Sequence, residues 1–249
     1  MPRLDGMDLT RIGLRASLLQ ATWNYERQQG LGWAFSLQPA LERLIPDAAA
    51  RAARLAEHTA YFNTQPTLAS IALGAVAAME EQRAEGAPLD ADVVARVKTV
   101  LGSSLAAIGD RLFWLTLRPW VAVLGVMIAL IAGWRGALAM WICYNLVHLA
   151  VRWRGVTWGY RQGPDVLDDS LRAGFERLVR RLAVSGAALT GVLVAMLLVP
   201  GGDPRNPTFQ ILLMAGLMLG LLTTTRARPT PTQWALGFGA LTLLAAWLH

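Results

Sequence analysis

The amino-acid sequence predicts an all-α integral membrane protein, with amphipathic N-terminal helices, re-entrant or broken helices in its middle and transmembrane helices at its C-terminal end. Three observations carry this. Of 249 residues, 54% are hydrophobic and only 16% are charged, whereas a soluble domain carries about 25% charged residues. Between Trp120 and Val151 the only formally charged side chain is Arg135. From Leu182 to His249 the only acidic, arginine or lysine side chains are Asp203, Arg205, Arg226 and Arg228.

The formal net charge is +6, and Lys98 is the only lysine. The arginines gather beside apolar segments, at Arg152/Arg154 and between Arg172 and Arg181. That is the pattern of cytoplasmic flanks of membrane helices. No basic run is interleaved with aromatics, so a nucleic-acid partner is not expected. Cys143 is the lone cysteine and excludes an intrachain disulfide. The first residues lack an apolar core segment, so a cleaved secretory signal is not expected.

The region 1–100 reads as helical, amphipathic and partly membrane-embedded. Leu14, Leu18, Leu19, Thr22 and Tyr25 recur at helical spacing, with Arg11, Arg15, Gln20 and Arg27 elsewhere on the wheel. Asp47 to Phe62 reads as a second amphipathic helix, broken by Asn63-Thr64-Gln65-Pro66. Thr67 to Met79 is a short apolar helix of small residues closed by Glu80-Glu81, and Gln82–Leu89 is a polar turn.

The region 101–151 holds a Gly109-Asp110 pair and an interrupted apolar hairpin. Gly133-Trp134-Arg135-Gly136 cuts it into two apolar pieces. Each piece would span only about 21 Å as a helix, short of the roughly 30 Å hydrocarbon core. The region 152–181 reads as a polar cytoplasmic connector, and 182–249 as C-terminal transmembrane helices. Within the latter, 182–199 is long enough to span, and 209–223 and 234–248 are marginal. The arginines at 172–181, 226 and 228 place those loops in the cytoplasm, with the 200–208 loop and the C-terminus outside.

Seven residues stand out as candidates for a substrate path or a subunit contact: Asn63, Gln65, Glu80, Glu81, Asp110, Trp114 and Arg118. Side-chain amides both donate and accept, which suits sugar hydroxyls. Asn63 and Gln65 serve equally well as turn and cap residues. Glu80 and Glu81 are either solvated at a helix edge or functional, since acids at a helix C-terminus oppose its dipole. Asp110 is a helix cap, a partner of Arg111 or Arg118, or a ligand for a hydroxyl or a cation. Trp114 could stack on a sugar ring, although most of the ten tryptophans sit at the ends of apolar segments as an interfacial belt. His58 lies on a polar helix and is expected at the surface. His148 lies on an apolar helix with no second histidine or cysteine at ligand spacing. No phosphate loop, HExxH or GxSxG occurs, so no catalytic residue, metal or cofactor is expected.

Blocks of residues in order along the chain carry a resemblance. They are Leu19-Gln20-Ala21-Thr22-Trp23-Asn24-Tyr25-Glu26-Arg27, Leu31-Gly32-Trp33-Ala34-Phe35-Ser36, Pro39-Ala40, Phe62-Asn63-Thr64-Gln65-Pro66, Gly74 to Arg83, Ile108-Gly109-Asp110, Phe113-Trp114, Thr116-Leu117-Arg118-Pro119, Asn145-Leu146-Val147, Arg152-Trp153 and Gly155-Val156-Thr157-Trp158-Gly159-Tyr160. Together they resemble the IID subunit of mannose/fructose/sorbose-family sugar phosphotransferase systems (PTS). The resemblance implies a non-phosphorylated bacterial inner-membrane subunit, multi-pass and not itself an enzyme. It also implies pairing with a IIC subunit, likewise membrane-embedded, in a trimer of IIC–IID pairs. Such a complex takes up a hexose or amino sugar that a cytoplasmic IIB subunit, charged by IIA, phosphorylates. The stretch Leu101–Arg111 departs from the family pattern, and His148 stands where arginine is common. These departures leave open a second reading, a regulatory or scaffolding membrane protein that kept the fold without transport.

Overall fold

The computed structural model describes residues 3–198 and 206–222, and among these the secondary structure is helical, with only isolated bridges joining Asn24, Gln28 and Phe62. The segment 234–248 and the loop at 226–228 lie outside the described residues, as does most of the 200–208 loop. The helices are α1 (Gly6–Arg15), α2 (Gly30–Leu44), α3 (Ala48–His58), α4 (Ala69–Ala84), α5 (Ala91–Gly109), α6 (Arg118–Ala132), α7 (Arg135–Gln162), α8 (Asp169–Leu198) and α9 (Pro207–Leu222). A π-helical segment, Asp110–Leu117, joins α5 to α6. Helical runs at Ala91–Ala132 and Leu171–Leu197 are long and apolar enough to cross a membrane. Contacts divide the described residues into one unit built from 3–118 with Trp141–Glu176 and a second built from Pro119–Met140 with those from Arg177 onward.

In the first unit, α1 begins five residues into the chain. Asp5 accepts from the amides of Met7 and Asp8, and Asp8 reaches back to the amide of Asp5. This reciprocal capping box nucleates the helix well before Leu14. The expected helix through Leu14, Leu18 and Tyr25 is therefore displaced. The chain turns after Leu18, with the Asn24 side chain accepting from the amides of Glu26 and Arg27. Of the expected face Leu19 is buried, together with Leu9, Ile12 and Ala16, while Leu14, Leu18 and Tyr25 are exposed. A local side-chain cap outcompeted the periodic pattern. In α2, Pro39 removes the amide that would bond the Phe35 carbonyl. Arg15 replaces that donor, bonding the carbonyl at 3.2 Å and lying over the Phe35 ring.

The centre of this unit is α4, buried along nearly its whole length. Its small residues let the backbone of α7 approach closely. A Cβ on Gly159 would fall 2.0 Å from the Ile71 carbonyl oxygen, and one on Gly74 would fall 2.0 Å from that of Val156. Gly155 and Gly159, four apart on one face of α7, form the small-residue seam that close helix packing in membranes uses.

Glu80 and Glu81, expected at a helix edge, lie inside α4 and are buried, because the helix runs on to Ala84. Glu80 accepts from Arg54 of α3 at 2.6 Å, meets His58 Nε2 at 3.3 Å and lies 3.5 Å from Arg83. His58, expected at the surface, is buried for this reason: Trp33 Nε1 donates to its Nδ1 while Nε2 faces Glu80. Nε2 is thus the ring nitrogen that turns its proton to Glu80. Glu81 accepts from the amide of Leu4 and from the Tyr160 hydroxyl. Lys98, the sole lysine, is also buried. It donates to the carbonyls of His58 and Ala60 at 3.0 and 3.1 Å, so its ε-amino group closes the C-terminal end of α3.

In the second unit, the break at 133–136 is a turn between α6 and α7, with Gly133 at φ +61°. The two helices cross closely, since a Cβ on Gly136 would lie 2.2 Å from the Gly125 carbonyl oxygen. The flanking helices do not stop where the apolar pieces end. With 28 residues, α7 extends about 42 Å, and the polar stretch 152–181 is helical on both sides of a turn at 163–168. Arginine is a good helix former, so polarity alone did not end these helices.

Two outcomes follow from this packing. Burial pushes the Glu80 carboxyl up, but hydrogen bonds and charge from His58 and Arg54 outweigh it and hold the group below its ordinary 4.5. A carboxyl depressed in the folded state stabilises above that ordinary value, and the stabilisation is lost as pH falls through the folded value. The thermal midpoint of the detergent-solubilised protein should therefore drop on acidification below about pH 4.5, and Glu80→Gln should flatten that acid limb; Glu80→Ala should cost about 3–5 kcal/mol at neutral pH. Gly159→Ala should cost about 1–3 kcal/mol by overpacking, read as a lower midpoint, whereas the same change at the open Gly6 should be nearly silent.

Candidate functional site

The segment Phe62–Leu68, between α3 and α4, is a polar loop held from every side. Phe62 is buried against Trp33, their rings 4.2 Å apart. Gln29, buried at the start of α2, pairs with the backbone of Thr64 in both directions, donating to its carbonyl at 2.8 Å and accepting from its amide at 3.1 Å. Gln65 turns its side chain inward and accepts from the amides of Thr67 and Leu68, two donors that the first turn of α4 leaves unmet. Arg152 of α7 donates to the Pro66 carbonyl at 3.2 Å. Thr67 Oγ1 and His148 Nδ1 are 2.8 Å apart.

This loop runs along α5 from Gly102 to Gly109. A Cβ on Gly102 would meet the Phe62 ring, and one on Gly109 would lie 2.5 Å from Gln65 Cβ. Glycine at 109 is thus what lets the loop lie against the start of the π-helical segment. The segment itself has a covalent cause in Pro119. A proline in a helix removes a donor and crowds the carbonyl four residues back, and an i→i+5 turn before it widens the helix. The Arg118 amide bonds the Phe113 carbonyl, and Thr116 Oγ1 bonds the Arg111 carbonyl at 2.6 Å, both five residues back. Insertions of this kind recur at functional sites.

The π-helical segment buries Leu112, Phe113 and Leu117 and exposes Asp110 and Trp114, and Arg118, the first residue of α6, is exposed next to it. Phe113 meets the edge of His148, whose other neighbour is Tyr144, stacked at 5.8 Å. Tyr144, His148 and Arg152 are spaced by four along α7 and make one polar stripe facing the loop and the segment.

The seven sequence candidates therefore divide. Asn63, Gln65, Asp110, Trp114 and Arg118 belong to the loop and the adjoining segment. Glu80 and Glu81 lie toward the other end of α4, roughly 17 Å along its axis from the start, and are engaged within the fold. Among the first group Gln65 is a buried cap, while Asn63 and Asp110 are exposed with no side-chain hydrogen bond or ion pair among the described residues. Asp110 caps nothing, because helical backbone continues through it. The Arg118 guanidinium lies 5.3 Å over the Trp114 ring. Sequence reasoning missed Gln29, His148 and Arg152 as supports of this loop. For Arg152 the position among cytoplasmic-flank arginines concealed the role; for Gln29 no local signal marks a contact 35 residues away.

The whole-chain comparisons agree with this architecture. Residues 3–199 match the family model described as the PTS system mannose/fructose/sorbose family IID component. The chain is 40% identical to the mannose-specific EIID component of Escherichia coli (strain K12) over 193 residues, 77% of this chain and 68% of the relative. It is 38% identical to the sorbose-specific EIID component of Klebsiella pneumoniae over 75% of this chain and 68% of the relative, and 31% identical to the fructose permease IID component of Bacillus subtilis (strain 168) over 78% and 70%. It is similar, with a TM-score of 0.63 and 32% identity, to a chain in the cryo-EM structure of the mannose transporter ManYZ with microcin E492, covering 100% of this chain and 98% of that one. A membrane protein of helical hairpins and buried polar supports, this chain belongs to the IID components of the mannose/fructose/sorbose family of sugar phosphotransferase systems.

Proposed function

We propose that this IID component forms, with a IIC membrane subunit, the inner-membrane carrier of a hexose or amino sugar, and that a cytoplasmic IIB subunit charged by IIA phosphorylates the sugar on entry. The chain would cross the bacterial inner membrane several times and work in a trimer of IIC–IID pairs. One observation carries the reading: a polar loop clamped by Gln29, Arg152 and His148 presents Asn63 outward beside a π-helical segment that leaves Asp110 unpaired. Polar groups spent on the fold are paired, as Gln65 and Glu80 are. Groups held rigid, exposed and unpaired are available to a ligand or partner, and an ionisable residue beside a membrane-compatible helix marks a transport path by default. Asn63 and Asp110 would take the place of water around sugar hydroxyls, and Trp114, carrying Arg118 over one face, would offer the other to the sugar ring. Gln65 would act by holding the loop.

The test is uptake by the complex co-expressed with its IIC. Asp110→Ala should abolish counterflow of labelled sugar by at least about tenfold, one good charged hydrogen bond's worth, while IIC still co-purifies. Normal counterflow by Asp110→Ala would remove Asp110 from the path, and a wild-type complex without counterflow would favour the scaffolding role.

A further inference from the structure

Lys98 lies on α5, inside a helical run long and apolar enough to cross a membrane, and is 4% exposed. Its ε-amino group bonds the carbonyls of His58 and Ala60, and the Trp33 and Phe62 ring centroids lie 5.2 and 5.5 Å from Nζ. No carboxylate pairs with it among the described residues. Either protonation state of an amine carries the two N–H groups that these carbonyls take. Helix ends are ordinarily closed by water, a short side-chain cap or a tighter last turn. A buried lysine reaching across from another helix asks for a further reason, since an ionisable side chain in such a segment is costly.

That reason lies along α5. Lys98, Gly102 and Gly109 fall on one stripe of the helix, within about 40° of one another and about 17 Å from end to end. At Gly102 the neighbours are the Phe62 ring and the Asn63 carbonyl, and at Gly109 the neighbour is Gln65. The chain from Ala60 to Gln65 therefore runs in step with this stripe. Glycine has no side chain to lodge against the loop, so these contacts set how near the loop comes and not where it stands along the axis. The two bonds from Lys98 are directional. Among the described residues no other hydrogen bond runs from α5 to a part of the chain distant in sequence. They hold Ala60, two residues before Phe62. The Phe62 backbone carries the hold onward, its amide bonding the Arg27 carbonyl at 3.3 Å and its carbonyl taking the Gln29 amide at 2.8 Å. At the far end of the stripe, Gly109 leads directly into Asp110.

Resting on the transport reading above, we propose that Lys98 is a positioning residue of the substrate path. By pinning α5 to the end of α3 it fixes the axial register between the loop that presents Asn63 and the π-helical segment that presents Asp110. Groups on separate elements grip one ligand together only when held within about 0.5 Å of their productive places. Lys98 itself acts through the loop and meets no ligand.

The experiment has two arms, both on the IIC–IID complex in proteoliposomes. In the first, nitroxide labels on Asn63→Cys and Asp110→Cys, in a Cys143→Ser background, report their separation by dipolar broadening. Lys98→Met keeps the apolar stem and removes the donors; it should shift that separation by about 1.5 Å or more, one residue's rise, or split it into two populations. In the second, counterflow is measured with labelled mannose, fructose and sorbose and no labels on the protein. For the sugar that the wild type moves fastest, Lys98→Met should raise KM about tenfold at an unchanged maximal rate, the signature of lost binding. A label separation in Lys98→Met equal to that with lysine overturns the proposal and leaves transport standing. So does a lower maximal rate at unchanged KM, the mark of a purely structural role. Should Lys98→Met fail to assemble, Lys98→Gln, with two amide donors on a shorter stem, is read in the same way and should raise KM about threefold. Failure of both to assemble shows that Lys98 serves the fold alone and overturns the positioning role. A wild-type complex that moves none of the three sugars removes the transport reading and the path with it, while the label separation still reads the register that Lys98 sets.

Discussion

The contact on which the first unit depends is backbone against backbone: α4 lies directly on α7, with Gly74, Gly155 and Gly159 where side chains would otherwise hold the helices apart. The hydrophobic effect cannot draw helices together where the surroundings are themselves apolar, so close packing of small residues must do it. Alanine, serine and glycine along α4 and the paired glycines of α7 meet that demand. The cost is rigidity of register, since a shift of one residue along either helix would place a Cβ inside a carbonyl oxygen.

Register is what the site requires. Because α4 and α7 are locked in their middle, their ends are placed without further adjustment. At one end Arg152 and His148 reach the loop that precedes α4. Toward the other, Tyr160 reaches Glu81. The same seam thus supports two polar systems with different purposes. Around Glu80 the acceptors are matched by Arg54, His58 and Arg83, a closed set that ties α3 to α4. Around the loop the Thr64 backbone and the Pro66 carbonyl are tied while Asn63, Thr64 and Arg152 keep unmet side-chain capacity. Polar groups are paired at one end of the seam and left unpaired at the other.

Much of the architecture was legible in the sequence. Asp47 before an Ala- and Arg-rich run, the break at Asn63–Pro66 and the Gly133–Gly136 turn each reflect a local rule, and each was found where those residues stand. What failed was whatever depended on a distant partner. His58 looked solvated because its neighbours on α3 are polar; Trp33 and Glu80, from two other helices, bury it. Glu80 and Glu81 looked terminal because the apolar run stops at Met79, yet charge was neutralised across the helix interface and the helix went on. Lys98 was noted only as the sole lysine, although a single lysine among so many arginines is itself a signal of a particular place. At the site, Asn63, Gln65 and Asp110 were visible as residue types out of keeping with their surroundings, while Gln29, His148 and Arg152 were not, since their roles exist only once α2 and α7 are brought to the loop.

The described surface carries the argument one step further. On α7, Trp141, Leu146, Leu149 and Trp153 are exposed, as are Leu115 and Trp114 on the π-helical segment. Exposed apolar area of this extent is not tolerated in water and marks lipid or protein contact. Lipid alone would serve the aliphatic residues, but not Asp110 and Asn63, whose unpaired polar atoms would be costly against hydrocarbon. The same region therefore demands two neighbours of different chemistry, an apolar one for the outer face of α7 and a polar or aqueous one for the loop. In the proposed carrier, a second membrane subunit that encloses water between itself and this loop would supply both.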